Sequence, residues 1–229
     1  MKTKFILSIC FGGLWLIVSL FFAVDWAQDI IYILPDVYVW WVIIGIALLP
    51  GFLMSSMFFS NMLHWKLKKY PDTAEDTTII MCAHDEEKNI AQSIQAILDQ
   101  QYAGHIRLIV VDNASQDRTK QEILQKQASA HAGCSLEYAY CTQPGKAHAL
   151  NYGLEMVRTR YFITVDADTC LEKQAVQKIM NRIAACQDAC VAGNLFVQNC
   201  RASLAAKMQN YDYLLSIAAI KRFQGSYRS

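Results

Sequence analysis

The sequence predicts an α/β domain built on a parallel sheet and preceded by two membrane-spanning helices. Three observations carry that prediction. Of the 229 residues, 54% are hydrophobic and only 18% are charged, against roughly 45–50% and 25% in ordinary soluble domains. The apolar excess is concentrated at the N-terminus, where only Lys2, Lys4, Asp25, Asp29 and Asp36 are charged before Lys66. Beyond Lys66, strand-length apolar runs alternate with helical stripes, the pattern of a parallel sheet with helices on both faces.

Phe5 to Val24 and Val37 to Leu63 carry no charge. Each is long enough to cross about 30 Å of hydrocarbon at about 1.5 Å per residue. This places spans at about 5–24 and 38–63 within a membrane region of residues 1–65. A cleaved signal peptide is the alternative for the first, but its apolar run is longer than the usual 7–15 residues and no small-x-small site follows. Lys2 and Lys4 precede the first span and Lys66, Lys68 and Lys69 follow the second, whereas only aspartates lie between them. Both termini and the following domain are therefore expected on the cytoplasmic side of an inner membrane. Trp26, Tyr38, Trp40 and Trp41 at one interface, with His64 and Trp65 at the other, suit interfacial anchors. Pro50-Gly51 is expected to distort the second span.

The remainder, 66–229, reads as a water-facing unit. Thr77 to Ala83 is a strand, followed by a helix with Ile90, Ile94, Ile97 and Leu98 on one face and Asp85 at the capping position. Ile106 to Val111 is a buried strand, and Asn113 to Asp117 a polar turn. A helix through Ile123 and Leu124 is expected to end near Gly133, before a strand from Leu136 to Cys141. After Pro144-Gly145 a helix carries Leu150, Leu154 and Val157. Tyr161 to Val165 is the fourth strand, and Val176, Ile179, Met180 and Ile183 stripe a last helix.

In such a sheet, ligands bind beyond the carboxyl ends of the strands. The loops there hold four polar clusters: Cys82-Ala83-His84-Asp85-Glu86-Glu87, Asp112-Asn113-Ala114-Ser115, Pro144-Gly145-Lys146-Ala147-His148 and Asp166-Ala167-Asp168-Thr169. Each alone is commonplace, since an acidic residue opening a helix is usually a cap. Four of them at one sheet edge point to a site. Asp166 and Asp168 can share one hard divalent cation, which takes oxygen ligands and keeps phosphate oxygens as partners. Lys146 at a helix start adds a cation and a helix N-terminus for the same anion. His84, Glu86 and Asn113 would then wall a base and ribose.

Other chemistries are excluded or weaker. The net charge of +1 leaves no basic footprint for nucleic acid. The eight cysteines form no C-x-x-C and read as reduced thiols rather than as a disulfide frame. The glycines of the soluble part are isolated and form neither G-x-G-x-x-G nor a P-loop.

Ile79 to Glu87 (IIMCAHDEE), Val110 to Asp117 (VVDNASQD), Gly145 to Gly153 (GKAHALNYG) and Val165 to Thr169 (VDADT), in this order, resemble the membrane-anchored family 2 glycosyltransferases. The lysine loop is similar to that of the processive enzymes making poly-N-acetylglucosamine, hyaluronan, chitin or cellulose. The resemblance covers about residues 75 to 200. It implies a GT-A fold, a UDP-sugar donor, Mg²⁺ or Mn²⁺, a glycan or lipid-linked acceptor, synthase partner subunits, and inverting transfer at the cytoplasmic face. Carried over by position, Cys82, Ala83, His84, Glu86, Asp112 and Asn113 would hold the nucleotide. Lys146 would meet the diphosphate, and Asp166 and Asp168 the metal and donor, these last three forming the catalytic set.

The sequence departs from that family in places. Cys82 stands where Pro or Thr is usual, and Asn113 where a second Asp is common. The acidic motif that supplies the general base, the Q-x-x-R-W segment and further membrane helices are missing, so the chain is expected to be a fragment. Glu172 and Asp188 read as solvent-facing, and Gln209, Asp212 and Tyr213 resemble a family helix near the membrane. Two alternatives follow: a nucleotide-sugar-binding fragment or partner subunit without turnover, and a HAD-type phosphatase with Asp166 as nucleophile. Against the second, Cys170 replaces the expected Thr or Val and no paired acidic motif follows.

Overall fold

A computed structural model describes residues 2–63, 69–186 and 190–221. His64, Trp65, Lys66, Lys68 and Asp188 lie outside the described residues. The chain divides into two compact units, one formed by Met1–Lys68 with Asn194–Ser229 and the other by Lys69–Gly193.

In the first unit, helix α1 (Lys2–Ile31) is followed by α2 (Asp36–Val42), a π-helical turn (Ile43–Leu48) and α3 (Leu49–Leu63). Thr3–Ile31 and Asp36–Leu63 are both long and apolar enough to cross a membrane, with mean hydropathy 2.4 and 2.2. Only 11% and 17% of their most apolar windows are buried, whereas a helix inside a soluble core would be mostly covered. The distortion expected at Pro50 takes the form of the wider turn just before it. Proline offers no N–H to the carbonyl four residues back and its ring crowds that carbonyl, so the preceding backbone opens to a π spacing. Leu49 N–H accordingly donates to Ile44 C=O, five residues away. Small residues let α1 and α3 approach closely: a Cβ on Gly12 would fall 2.1 Å from Ser56 Oγ, and Ser8, Ser56 and Ser60 are buried. Lys4 Nζ donates to Leu63 C=O at 3.0 Å. The same unit contains α8 (Leu204–Tyr213), opened by Ser203, whose Oγ accepts the Ala206 N–H at 3.1 Å.

The second unit is a four-stranded, all-parallel sheet in the order β3-β2-β1-β4, from β1 (Thr77–Ala83), β2 (Ile106–Asp112), β3 (Cys134–Tyr140) and β4 (Tyr161–Asp166). Both faces are covered. On one, Ile79, Met81, Leu108 and Val110 pack against Ile90, Ile94 and Ile97 of α4 (Ile90–Leu98), Ile123 of α5 (Thr119–Gln127) and Val176 and Met180 of α7 (Ala175–Cys186). On the other, Ile80, Ile109 and Val111 meet Ala149, Leu150 and Leu154 of α6 (Lys146–Glu155). Gly153 allows that approach, because a Cβ there would sit 2.7 Å from Ile80 Cγ2. The register aligns Ala83, Asp112 and Tyr140, with Asp166 beside Cys82, so all four strands deliver their following loops to one rim.

Two local expectations are corrected. Asp85 does not cap α4, which begins five residues later. Its backbone is left-handed (φ 53°), and its carboxylate instead accepts the Gln116 N–H at 2.7 Å. Helix α5 stops at Gln127 rather than near Gly133. There His131 Nε2 donates to Leu98 C=O at 2.9 Å, and a His131–Cys134 bridge turns the chain into β3.

Candidate functional site

The four polar loops enclose a cleft of about 390 Å³ lined by Cys82, Ala83, His84, Glu86, Asn113, Pro144, Gly145, Lys146, Asp166, Ala167 and Asp168. Every site residue expected from the sequence is there except one. Asp112 is buried behind the rim, 1% exposed, with Tyr138 hydroxyl donating to one carboxylate oxygen and Ser115 N–H to the other, both at 3.0 Å. With both oxygens engaged, it holds loops and does not face the cleft. Burial, followed by the Asp112 hydrogen bond, raises the Tyr138 phenol well above its ordinary range.

Asn113 lines the cleft but spends its amide on the protein. Its Oδ1 accepts Gly145 N–H at 2.7 Å and its Nδ2 donates to Gln143 C=O at 2.6 Å. The two partners fix which end of the amide is which. Gly145 itself sits at φ 120°, a conformation that glycine tolerates and that lets the chain turn into α6. His84 Nδ1 lies 2.7 Å from Asn113 C=O, which can only accept, so Nδ1 carries the proton.

The loops after β1 and β2 are tied together by groups that sequence reasoning missed. Asp85 N–H donates to Ser115 Oγ at 3.1 Å, Glu86 N–H to Thr119 Oγ1 at 2.8 Å and Glu87 N–H to Asp117 Oδ2 at 3.1 Å. Burial alone would raise the Asp117 carboxyl, but the hydroxyl and N–H of Thr119 outweigh it and hold it below its ordinary range. Ala114 joins Asp85 in the left-handed region at φ 56°, a strain of roughly 1–2 kcal/mol for a residue with a Cβ. Two strained positions, each next in sequence to a residue that lines the cleft and in loops bonded to each other, fit a site whose loop shape is imposed by its surroundings. A run such as His-Asp-Glu-Glu or Asn-Ala-Ser-Gln gives no local sign of these cross-loop bonds.

At the far wall, Lys146 Nζ donates to Asp166 Oδ1 at 2.5 Å. That hydrogen bond raises the Lys146 pKa despite partial burial. Both side chains are largely exposed, at 70% and 60%, so the pair contributes little stability in water and can exchange partners when an anion enters. Ala167 turns inward between exposed Asp166 and Asp168, leaving both carboxylates on the cleft side. Cys82 is partly buried, and burial raises its thiol pKa, so at neutral pH it contributes a neutral wall.

The donor set fits a hard divalent cation. Among the described residues no cluster of three or more His, Cys, Asp or Glu side chains could hold a metal by itself. Two carboxylates facing an open cleft suit an ion that completes its shell with phosphate and water oxygens. The α6 N-terminus and Lys146 supply positive charge beside them.

Residues 78–227 match the family described as Glycosyl transferase family 2. The chain belongs to glycosyl transferase family 2. Its α/β unit is accordingly a GT-A-like fold, and the phosphatase alternative is set aside. Among curated relatives, the poly-beta-1,6-N-acetyl-D-glucosamine synthase of Staphylococcus aureus (strain COL) is 25% identical over 173 residues, covering 73% of this chain and 40% of the relative. The matched part is thus well under half the length of that relative. Of solved structures, a mannosyltransferase, PcManGT, from Pyrobaculum calidifontis in complex with GDP-Man and Mn²⁺ aligns at 24% identity and TM-score 0.48, over 71% of this chain and 48% of that one. TarS 1–349 from S. aureus in complex with UDP-GlcNAc aligns at 17% identity and TM-score 0.43, over 55% and 42%.

Proposed function

We propose that this family 2 chain binds a UDP-sugar in the cleft and forms the donor part of an inverting glycosyltransferase. It would pass N-acetylglucosamine or glucose to a growing polysaccharide, or to a lipid-linked or glycan acceptor, at the cytoplasmic face of the membrane. The observation that carries the proposal is the convergence of Lys146, Asp166 and Asp168 with His84, Glu86 and Asn113 around one cleft. Kinship with a poly-N-acetylglucosamine synthase supports a polysaccharide product, and the two long apolar helices support a membrane setting.

Asp166 and Asp168 would hold Mg²⁺ or Mn²⁺, which supplies positive charge to the diphosphate oxygens when bound. Lys146 exchanges its bond with Asp166 for a phosphate oxygen and adds its own charge to the leaving diphosphate, a preorganised electrostatic contribution to the transition state. His84 and Glu86 face the ribose or base. Asn113 shapes this wall by fixing the turn at Gly145, and Asp112 positions the loop behind it. Attack by an acceptor hydroxyl at the anomeric carbon also needs a general base.

A second reading, nucleotide-sugar binding without turnover, is favoured by one observation. The carboxylates that line the cleft are Glu86, Asp166 and Asp168, all assigned to the donor. Incubating the membrane-embedded chain with radiolabelled UDP-N-acetylglucosamine and Mn²⁺ separates the two. Labelled polymer that disappears in Asp168→Asn supports transfer, saturable UDP binding without product supports binding alone, and transfer unchanged by Asp168→Asn refutes the metal role.

A further inference from the structure

A second cleft, of about 400 Å³, opens between the end of β3 and the outer face of α6, a volume within the usual range of small-molecule sites, about 300–1,000 Å³. Tyr140 and Gln143 form one wall. His148, Asn151, Tyr152 and Glu155 form the other, spaced i, i+3, i+4, i+7 so that they share one helix face. Among the described residues none of these six side chains has a hydrogen-bond or ion-pair partner in the protein, whereas the Asn113 amide nearby is fully engaged. Tyr140 and Tyr152 remain 48% and 41% exposed.

We propose that this cleft is a carbohydrate site that takes a neutral saccharide chain. Its composition selects the ligand class. Two open aromatic faces offer their negative π surface to the weakly positive C–H face of a pyranose ring. Amide, imidazole, phenol and carboxylate groups with free valences match a ring edge crowded with hydroxyls, each of which both donates and accepts. The lining itself offers an anion no cation: Glu155 is its one fixed charge, Arg158 beside it donates to the Glu155 and Val157 carbonyls, and Lys146 is turned to Asp166 in the other cleft. The two clefts are separated by the short turn from Gln143 to Lys146, which Asn113 grips at both Gln143 and Gly145. A saccharide held here lies one turn from the donor cleft, as an acceptor or product glycan would. Only that role rests on the proposed transfer activity, whereas the binding chemistry stands on the cleft alone.

The test is saturation-transfer NMR on the full chain in detergent micelles, with a soluble β-linked N-acetylglucosamine oligosaccharide as probe and UDP binding measured alongside. The inference expects saturable saccharide binding that UDP does not displace. It should weaken about tenfold or more in Tyr152→Ala, survive in Tyr152→Phe, which keeps the ring, and weaken in Asn151→Ala, with UDP binding unchanged in all three. No binding to the unaltered chain, binding indifferent to Tyr152→Ala, or displacement by UDP overturns it. Saccharide binding lost in Tyr152→Ala by a chain that never binds UDP would uphold this site and sink the donor reading.

Discussion

The side-chain oxygen of Asn113 accepts the backbone N–H of Gly145 at 2.7 Å, across thirty-two residues of sequence. That bond joins the loop after β2 to the turn that starts α6, and so sets the distance between the His84 and Glu86 side of the cleft and Lys146. With Asn113 only 5% exposed, its loss leaves buried groups unpaired. Asn113→Ala should cost roughly 1–3 kcal/mol, read as a lower thermal midpoint, together with weaker UDP binding. Asn113→Asp keeps the acceptor for Gly145 but sets an oxygen against the Gln143 carbonyl, so it should also destabilise. An unchanged midpoint in both variants would show that the clamp does not matter.

Gly153→Ala tests how tightly α6 sits on the sheet. Better helix propensity should gain about 1 kcal/mol. The new methyl, however, meets Ile80 Cγ2 at 2.7 Å and Val111 Cγ2 at 3.1 Å, both on buried β-branched residues with little freedom to move. Overpacking of this kind costs typically 1–3 kcal/mol, so a net loss is expected in thermal unfolding. A gain in stability would mean that α6 packs more loosely than described.

Tyr102 gives the fold an alkaline limit. Burial first, then the negative charges of Asp76 and Glu75, push its phenol up to about 12, and its hydroxyl donates to the Glu75 carbonyl. Because the folded state holds this proton more tightly than the unfolded chain, the contribution is complete below pH 10 and is lost as pH rises through about 12. Unfolding midpoints measured across that window should fall more steeply for the unaltered protein than for Tyr102→Phe. Parallel curves would contradict the assignment.

Much of this was legible in the sequence, for identifiable reasons. The strands announce themselves as short apolar runs, and because all are parallel their downstream loops must share one rim, which is why four weak motifs predict one cleft. What stayed hidden is tertiary. Nothing local marks Asp112 as turned inward to Tyr138, since its neighbours Val111 and Asn113 read equally well around a ligand-facing carboxylate. The end of α5 has no local mark, because Ala128 to Ala132 has no helix breaker and the stop comes from His131 reaching Leu98 on another helix. The left-handed backbone at Asp85 and Ala114 depends on bonds between two loops about thirty residues apart and has no signature in either. The second cleft is hidden for a related reason: Tyr152 and Glu155 look like an ordinary solvated helix face until the end of β3 is placed opposite them.

If Asp166 and Asp168 hold a divalent cation that, with Lys146, grips the diphosphate of a UDP-sugar, UDP affinity must depend on the metal and on all three side chains. The decisive measurement is calorimetric titration of the full chain with UDP, with and without Mn²⁺. Binding should be strengthened by Mn²⁺, lose that strengthening in Asp168→Asn, and weaken about tenfold or more, at least 1.4 kcal/mol, in Lys146→Ala. Equal, metal-independent affinity in all three proteins would contradict it.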